Sequence, residues 1–125
     1  MTPNPDYVPD TINKAAEALV QALSKDEIEW ITKTTPADMH HSLGRYIRNE
    51  WSLWEPDTPL ANDYQKTFHL FPHADDMSGM IITTAIALLT HTENIEDKQK
   101  NLAKVYREHW ESMGVNPETG KTNYY

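Results

Sequence analysis

The dominant pattern along this chain is the recurrence of apolar residues every three or four positions, with polar residues between them. Such spacing places the apolar side chains on one face of an amphipathic α-helix. No run with the alternating period of a β-strand extends over more than a few residues. The pattern therefore predicts an all-α chain. The clearest stripe consists of Ile12, Ala15, Ala16, Leu19, Val20 and Leu23.

The most apolar segment covers residues 74–89, where apolar side chains surround nearly the whole circumference of a helical projection. A helix that is apolar on every side is expected in the interior of a fold. Ser78 and Gly79 leave a small spot on this helix, where another helix can approach closely. We therefore predict a single-domain orthogonal bundle of five or six helices with this buried helix at its centre. Its expected neighbours are the helices that begin near Thr11, Pro36 and Ile95.

Short polar signals mark where the helices begin. Asp10 is placed to cap the first helix, and Ser24 with Glu27 matches a capping box, in which each side chain accepts from the other's backbone N–H. The Thr-Pro pairs at residues 35–36 and 58–59 combine a capping hydroxyl with a proline that fits the first helical position. These signals predict separate helix starts at all four places.

The helix that begins at Pro36 is expected to run to about Leu53, and Thr92 or Asn94 is expected to cap the last helix. Three prolines and few residues that could pack characterise the first ten positions. The predicted organisation is an extended leader at residues 1–10, a single helical domain at residues 11–114 and an irregular tail at residues 115–125.

Composition narrows the functional classes. The chain has 19 Asp and Glu against 11 Lys and Arg, a net charge of −8, and no cysteine. An acidic chain repels phosphate backbones and anionic lipid, so we expect no direct nucleic-acid binding and no membrane binding. The longest apolar run is too short for a membrane span, and no signal peptide is recognisable. We expect a cytoplasmic protein whose partner is another protein, in an oligomeric state that the sequence leaves open.

The first unusual segment lies in the helix that begins at Pro36. A regular helical projection places His41, Arg45, Arg48 and Asn49 on an outer ridge, and places His40 and Glu50 within the opposite apolar face. Because Arg binds carboxylates and phosphates with two parallel hydrogen bonds, this ridge is a candidate for anion or partner recognition. Salt bridges to neighbouring helices are the structural alternative. Trp54, at the following loop, is a further candidate contact residue.

The second segment precedes and opens the central helix. Asp75 and Asp76 lie in its first turn, where carboxylates interact favourably with the free N–H groups, and His73 lies just outside. With His69, these residues would also suit zinc or manganese by ligand type. Their spacing matches no established metal motif and Pro72 interrupts the two His, so helix capping is favoured, and no metal or cofactor is predicted.

The two segments carry complementary charges. Two of the three Arg of the chain lie in the first segment, and two adjacent Asp lie in the second. We therefore predict that Arg45 or Arg48 forms an ion pair with Asp75 or Asp76, which would make the two segments one structural or functional unit.

Four short motifs link these segments to a known family. They are His41-Ser-Leu-Gly44, Tyr46-Ile-Arg-Asn49, Trp51-Ser-Leu-Trp54 and His73-Ala-Asp-Asp-Met-Ser78, the last followed by Ile81-Ile82. With them, residues 36–89 resemble a family of small bacterial and phage-borne proteins classed as a domain of unknown function. Members of that family often have Pro at the position of Ala74. The resemblance implies that the segments form one unit, but it implies no activity and no catalytic residue.

Two functional classes remain. The favoured hypothesis is a cytoplasmic interaction module, which could neutralise a partner protein as small acidic immunity and phage proteins do. The alternative is a small enzyme or ligand sensor. It requires that the candidate residues converge on one concave pocket with perturbed titratable groups, whereas a dispersed arrangement favours the interaction module. The candidate residues are His41, Arg45, Arg48, Asn49, Trp54, His73, Asp75 and Asp76.

Overall fold

The computed structural model describes residues 8–91 and 93–122, with the backbone alone at Pro36. This part of the chain forms six helices and no strand, which confirms the all-α prediction. Residues 1–7 of the predicted leader, residues 123–125 of the predicted tail and Thr92 lie outside the described residues. The helices are α1 (Ile12–Ala22), α2 (Lys25–Lys33), α3 (Pro36–Met39, His40–Gly44 and Arg45–Glu50), α4 (Pro59–Phe68), α5 (Ala74–Leu89) and α6 (Ile95–Ser112).

Helix α5 is the centre of the bundle, as its apolar circumference predicts. Met77, Met80 and Ile81 are completely buried in it. Helices α1, α3 and α6 all pack against α5. The small spot at Ser78 and Gly79 also behaves as predicted, because the hydroxyl of Tyr106 on α6 lies where a Cβ at position 79 would be. None of the helices in the described part of the chain combines the length and hydropathy needed to cross a lipid bilayer.

Most of the predicted caps are present. Ser24 Oγ accepts from the Glu27 N–H at 3.2 Å, and the Glu27 carboxylate accepts from the Ser24 N–H at 2.9 Å, which completes the capping box. Thr58 accepts from the Ala61 N–H at 3.1 Å and starts α4. The predicted cap at Asp10 is wrong, because Thr11, one residue later, has the extended backbone of an N-cap and accepts from the Lys14 N–H. Asn94 occupies the N-cap position of α6 without a side-chain hydrogen bond.

Helix α3 departs from the prediction in two ways. It contains a π-helical turn at His40–Gly44, and it ends at Glu50 rather than near Leu53. A π turn accommodates one extra residue, which rotates all later side chains by about 100° relative to a regular α-helix. As a result Arg48 turns from the predicted outer ridge into the interior, and Glu50 turns from the predicted apolar face to solvent.

The tail after α6 returns to the helical bundle. An isolated antiparallel bridge joins Val115 to Thr122, and the Phe71 N–H donates to the Pro117 carbonyl at 2.9 Å. Gly120 has a φ of +73° and lies against the Phe71 ring, where a Cβ would come within 3.0 Å of it. These contacts place the described part of the tail beside the loop that leads into α5.

The central position of α5 predicts the result of placing a charge in it. The side chain at position 80 is completely buried, so Met80→Asp should lower the free energy of unfolding by about 4 kcal/mol or more, close to the total stability of a small domain. Val105→Asp, at a position 58% exposed on α6, is the matched control and should change it by less than about 0.5 kcal/mol. Urea denaturation followed by circular dichroism measures both. Equal stability of the two variants would contradict the buried position of α5.

Candidate functional site

The guanidinium of Arg48 joins the two segments. Its side chain reaches from α3 into the bundle and is only 6% exposed. Nη1 donates to Ser78 Oγ at 3.0 Å, and Nη2 donates to the His40 carbonyl, within the π turn, at 3.2 Å. Nε lies 3.5 Å from Asp75 Oδ1. The predicted ion pair between the segments is therefore confirmed, and its members are Arg48 and Asp75.

The contacts around this guanidinium explain why several residues occur in the motifs. At Gly44 a Cβ would lie 2.9 Å from Arg48 Nη1, so a larger residue would displace the guanidinium. Ser78 accepts from Arg48 and donates to the Asp75 carbonyl at 2.9 Å, which fixes its hydroxyl. The Trp54 ring lies 5.9 Å from Arg48 Cζ, within cation–π range, although Trp54 is 62% exposed. The motifs therefore converge on one buried cation.

The rest of the predicted outer ridge does not join this cluster. His41, Arg45 and Asn49 are exposed on the outer side of α3. The prediction that Arg48 belongs to the same ridge is wrong, because the π turn rotates it inward. The ridge therefore keeps one Arg, and Arg48 cannot bind a ligand from solvent without leaving its partners.

The second segment anchors the start of α5 against α6. His73 is the N-cap, as expected, and its Nδ1 accepts from the Asp75 N–H at 3.2 Å. The Asp76 carboxylate accepts from Trp110 Nε1 at 2.8 Å. The rings of His73 and Phe71 pack against Trp110 at centroid distances of 5.2 and 5.0 Å. This aromatic group holds the first turn of α5 in place.

Burial raises the pKa of Asp76. The hydrogen bond from Trp110 and the nearby His73 and His109 act in the opposite direction, and the neighbouring Asp75 carboxylate raises the pKa further. The increase persists because desolvation disfavours the charged form more strongly than the partners favour it. Burial also raises the pKa of Tyr106, whose hydroxyl faces the same region.

An open groove begins at these carboxylates and follows α5, with α6 and the start of α3 as its walls. Its volume is about 330 Å³. Of the eight candidate residues, only Asp75 and Asp76 line it, so the sequence prediction identified one end of the groove and missed the rest. We call it the α5–α6 groove. It is lined by Met39, His40, Asp75, Asp76, Ser78, Gly79, Ile82, Thr83, Ile86, Leu102 and Tyr106.

A second cavity, of about 410 Å³, lies on the other side of α5 and contains none of the candidate residues. The buried Gln99 of α6 forms its polar floor by donating to Asn13 Oδ1 at 2.8 Å and to Thr84 Oγ1 at 2.9 Å. Sequence reasoning missed this polar contact. A single Gln on an otherwise amphipathic helix carries no signal that it is buried.

The structure does not arrange the potential metal ligands as a metal centre. These ligands are the side chains of His69, His73, Asp75 and Asp76. His73 and Asp76 are engaged in hydrogen bonds with the backbone and with Trp110. His69 ends α4 with a left-handed backbone, at a φ of 56°. Within residues 8–91 and 93–122, no group of three or more His, Asp or Glu side chains is arranged to hold a metal ion.

Comparison with known proteins gives one family. The model of the Domain of unknown function (DUF6794) matches residues 8–89, which include α1 to α5 and both segments. No curated protein and no solved structure matches the chain. Helix α6, which supplies Tyr106 and Trp110, lies beyond the matched residues.

The buried position of Arg48 predicts a structural effect. Arg48→Ala would leave the partly buried Asp75 without its ion-pair partner and the Ser78 hydroxyl without one of its hydrogen bonds. The free energy of unfolding should fall by about 2–4 kcal/mol. Arg45→Ala removes the exposed Arg of the same helix and should change it by less than about 0.5 kcal/mol. Chemical denaturation of both variants measures this difference, and an unchanged Arg48→Ala midpoint would exclude a structural role for the pair.

The raised pKa of Asp76 predicts a pH-dependent effect of Asp76→Asn. A carboxyl whose folded pKa is raised stabilises the fold when it is protonated, and this contribution is lost as the pH rises through the folded pKa. The stability of the wild type relative to Asp76→Asn should therefore increase as the pH falls from neutral toward the ordinary carboxyl pKa of 3.8. Chemical denaturation of both proteins at a series of pH values measures this difference. A difference that decreases with falling pH would contradict the assignment.

Proposed function

The chain belongs to the DUF6794 family, a domain of unknown function, and from the geometry of its own residues we propose that it is a protein-interaction module. The observation that carries this proposal is that some polar residues of the two segments are buried in structural contacts and others line an open groove. Arg48 is engaged inside the fold, whereas Asp75 and Asp76 line one end of the α5–α6 groove, which is open and has a largely apolar wall. Such a surface is suited to binding side chains of another protein.

The dispersal of the candidate residues supports binding over catalysis. His41, Arg45 and Asn49 are exposed on the outer side of α3, whereas Asp75 and Asp76 lie at the groove. A catalytic centre needs its acid, base and charge-stabilising groups within reach of one reacting atom. Arg48, one of the two Arg of the ridge predicted to recognise an anion or a partner, is covered by its own partners. The groups that an enzyme would need are therefore not gathered in one place.

The groove fits a recognised mode of protein binding. Ile82, Ile86 and Leu102 line it with apolar side chains, and Asp75 and Asp76 provide polar groups at one end. A partner helix or extended segment can insert apolar side chains into such a groove and use the polar end to fix its register. We further propose a cytoplasmic bacterial or phage setting in which binding neutralises the partner. That step rests on analogy with other small acidic proteins.

One observation favours the alternative, a small enzyme or ligand sensor. His40, Asp75 and Asp76 all line the α5–α6 groove, and burial raises the pKa of Asp76. A carboxyl with a raised pKa in a groove is a candidate general acid or base. Under this alternative a small molecule, rather than a protein, would compete for the groove.

Blocking the groove tests the proposal. Thr83 is half-buried in the wall, so Thr83→Arg should fill the groove and reduce partner capture from lysate of the native host by about tenfold or more. Val105→Arg adds the same charge on the exposed side of α6 and is the matched control. Chemical crosslinking and mass spectrometry measure the capture.

Loss of the same captured protein with Thr83→Arg, but not with Val105→Arg, supports the proposal. Equal capture by both variants would show that the partner binds elsewhere. Circular dichroism must show that both variants have the wild-type melting temperature to within a few degrees, which corresponds to about 1 kcal/mol for a domain of this size.

A further inference from the structure

The α5–α6 groove differs chemically at its two ends. Asp75, Gly79, Ile82 and Ile86 follow one another along a single stripe of α5 at helical spacing, and all four line the groove. At the rise of an α-helix this stripe extends for about 16 Å. The groove therefore begins with carboxylates and continues along an apolar wall, which Leu102 completes from α6.

The two carboxylates at the end of the groove are held from the protein side. The Asp75 side chain is 42% exposed, and Arg48 contacts it from the interior at 3.5 Å. The Asp76 carboxylate accepts a neutral hydrogen bond from Trp110. Among the described residues that line the groove there is neither Lys nor Arg. Two acidic side chains therefore face the groove, in a protein that has a net charge of −8.

We infer that the segment that occupies the groove is basic and amphipathic. A Lys or Arg of the partner protein contacts Asp75 and Asp76, and its neighbouring apolar side chains lie along Ile82 and Ile86. This inference rests on the proposed function and adds the chemistry of the partner. An acidic or uncharged segment would fill the same volume but would place no positive charge beside either carboxylate.

The electrostatics of Asp76 support this choice of charge. Burial raises its pKa, so the carboxylate is less well stabilised in the folded protein than in water. A cation placed beside it offsets part of this penalty, whereas an anion increases it. Because one carboxylate is partly exposed, the attraction should weaken as the salt concentration rises.

A set of small probes tests the inference independently of any partner. n-Hexylammonium carries the ammonium group and an aliphatic stem like that of Lys, n-hexanol has a similar stem without charge, and hexanoate has the opposite charge. Titration of ¹⁵N-labelled protein should shift the amide signals of Gly79, Thr83 and Tyr106, which line the groove. Hexylammonium should bind about fivefold more tightly than hexanol, and hexanoate more weakly than either.

Two isosteric variants identify the carboxylate. Asp76→Asn should weaken hexylammonium binding about fivefold and leave hexanol binding unchanged. Asp26→Asn removes an exposed carboxylate on α2, outside the groove, and should leave the binding of hexylammonium and the binding of hexanol unchanged. If Asp76→Asn loses the wild-type fold, Asp75→Asn provides the same comparison. Rising salt should weaken the binding of hexylammonium but not that of hexanol.

The outcomes separate this inference from the proposed function. The inference of a basic partner would be overturned by any of three results. Hexylammonium and hexanol could bind equally tightly, the amide signals that shift could lie outside the groove, or neither Asp variant could change the binding of hexylammonium. If Thr83→Arg still abolished capture of the partner, the groove would remain a docking surface for a segment of different charge. Conversely, cation binding at the groove together with unaffected capture by Thr83→Arg would show that the partner binds elsewhere and would leave the groove as a site for small cations.

Discussion

A buried guanidinium is the constraint on which the arrangement of this bundle depends. The charge of a buried guanidinium must be matched by neighbouring groups wherever the side chain is placed. Here a hydroxyl, a backbone carbonyl and a carboxylate surround it, supplied by Ser78, His40 and Asp75. Helices α3 and α5 must therefore keep one register, since a shift of either one would leave a buried charge without partners.

The π turn in α3 is part of the same constraint. It rotates Arg48 inward, and Arg48 Nη2 in turn donates to a carbonyl within that turn, at His40. Gly44 leaves the space that the guanidinium needs beside the helix backbone. The irregular turn and the buried charge therefore stabilise each other, and neither would be favourable alone.

This arrangement also determines which groups reach solvent. Because Arg48 holds Asp75 from the interior and Trp110 holds Asp76 from α6, the two carboxylates are fixed at one end of the α5–α6 groove. Their free sides face the groove, next to the apolar stripe of α5. The buried polar contacts of Arg48 are thus structural. The groove surface beside them is the part that is available to a partner.

Local sequence determined much of this fold. The bounds of α5, the capping box at Ser24 and the start of α4 follow from helical periodicity and from hydrogen bonds within three or four residues, which local sequence specifies. Charge complementarity between the segments also predicted an Arg–Asp pair, and Arg48 with Asp75 forms it. The inward turn of Arg48 could not be predicted, because a regular helical projection has no place for a π turn.

Only the tertiary structure decided the contacts between residues that are distant in sequence. The hydrogen bond between Asp76 and Trp110, the position of Tyr106 over Gly79 and the buried Gln99 all depend on how α6 lies against α5. Helical spacing shows that such residues can face inward but not which partner each one meets. The sequence alone therefore determined the helices, most of their ends and the opposite charges of the two segments that attract each other. Packing decided which charges were buried and which remained at the groove, since burial depends on the neighbours that the whole fold supplies.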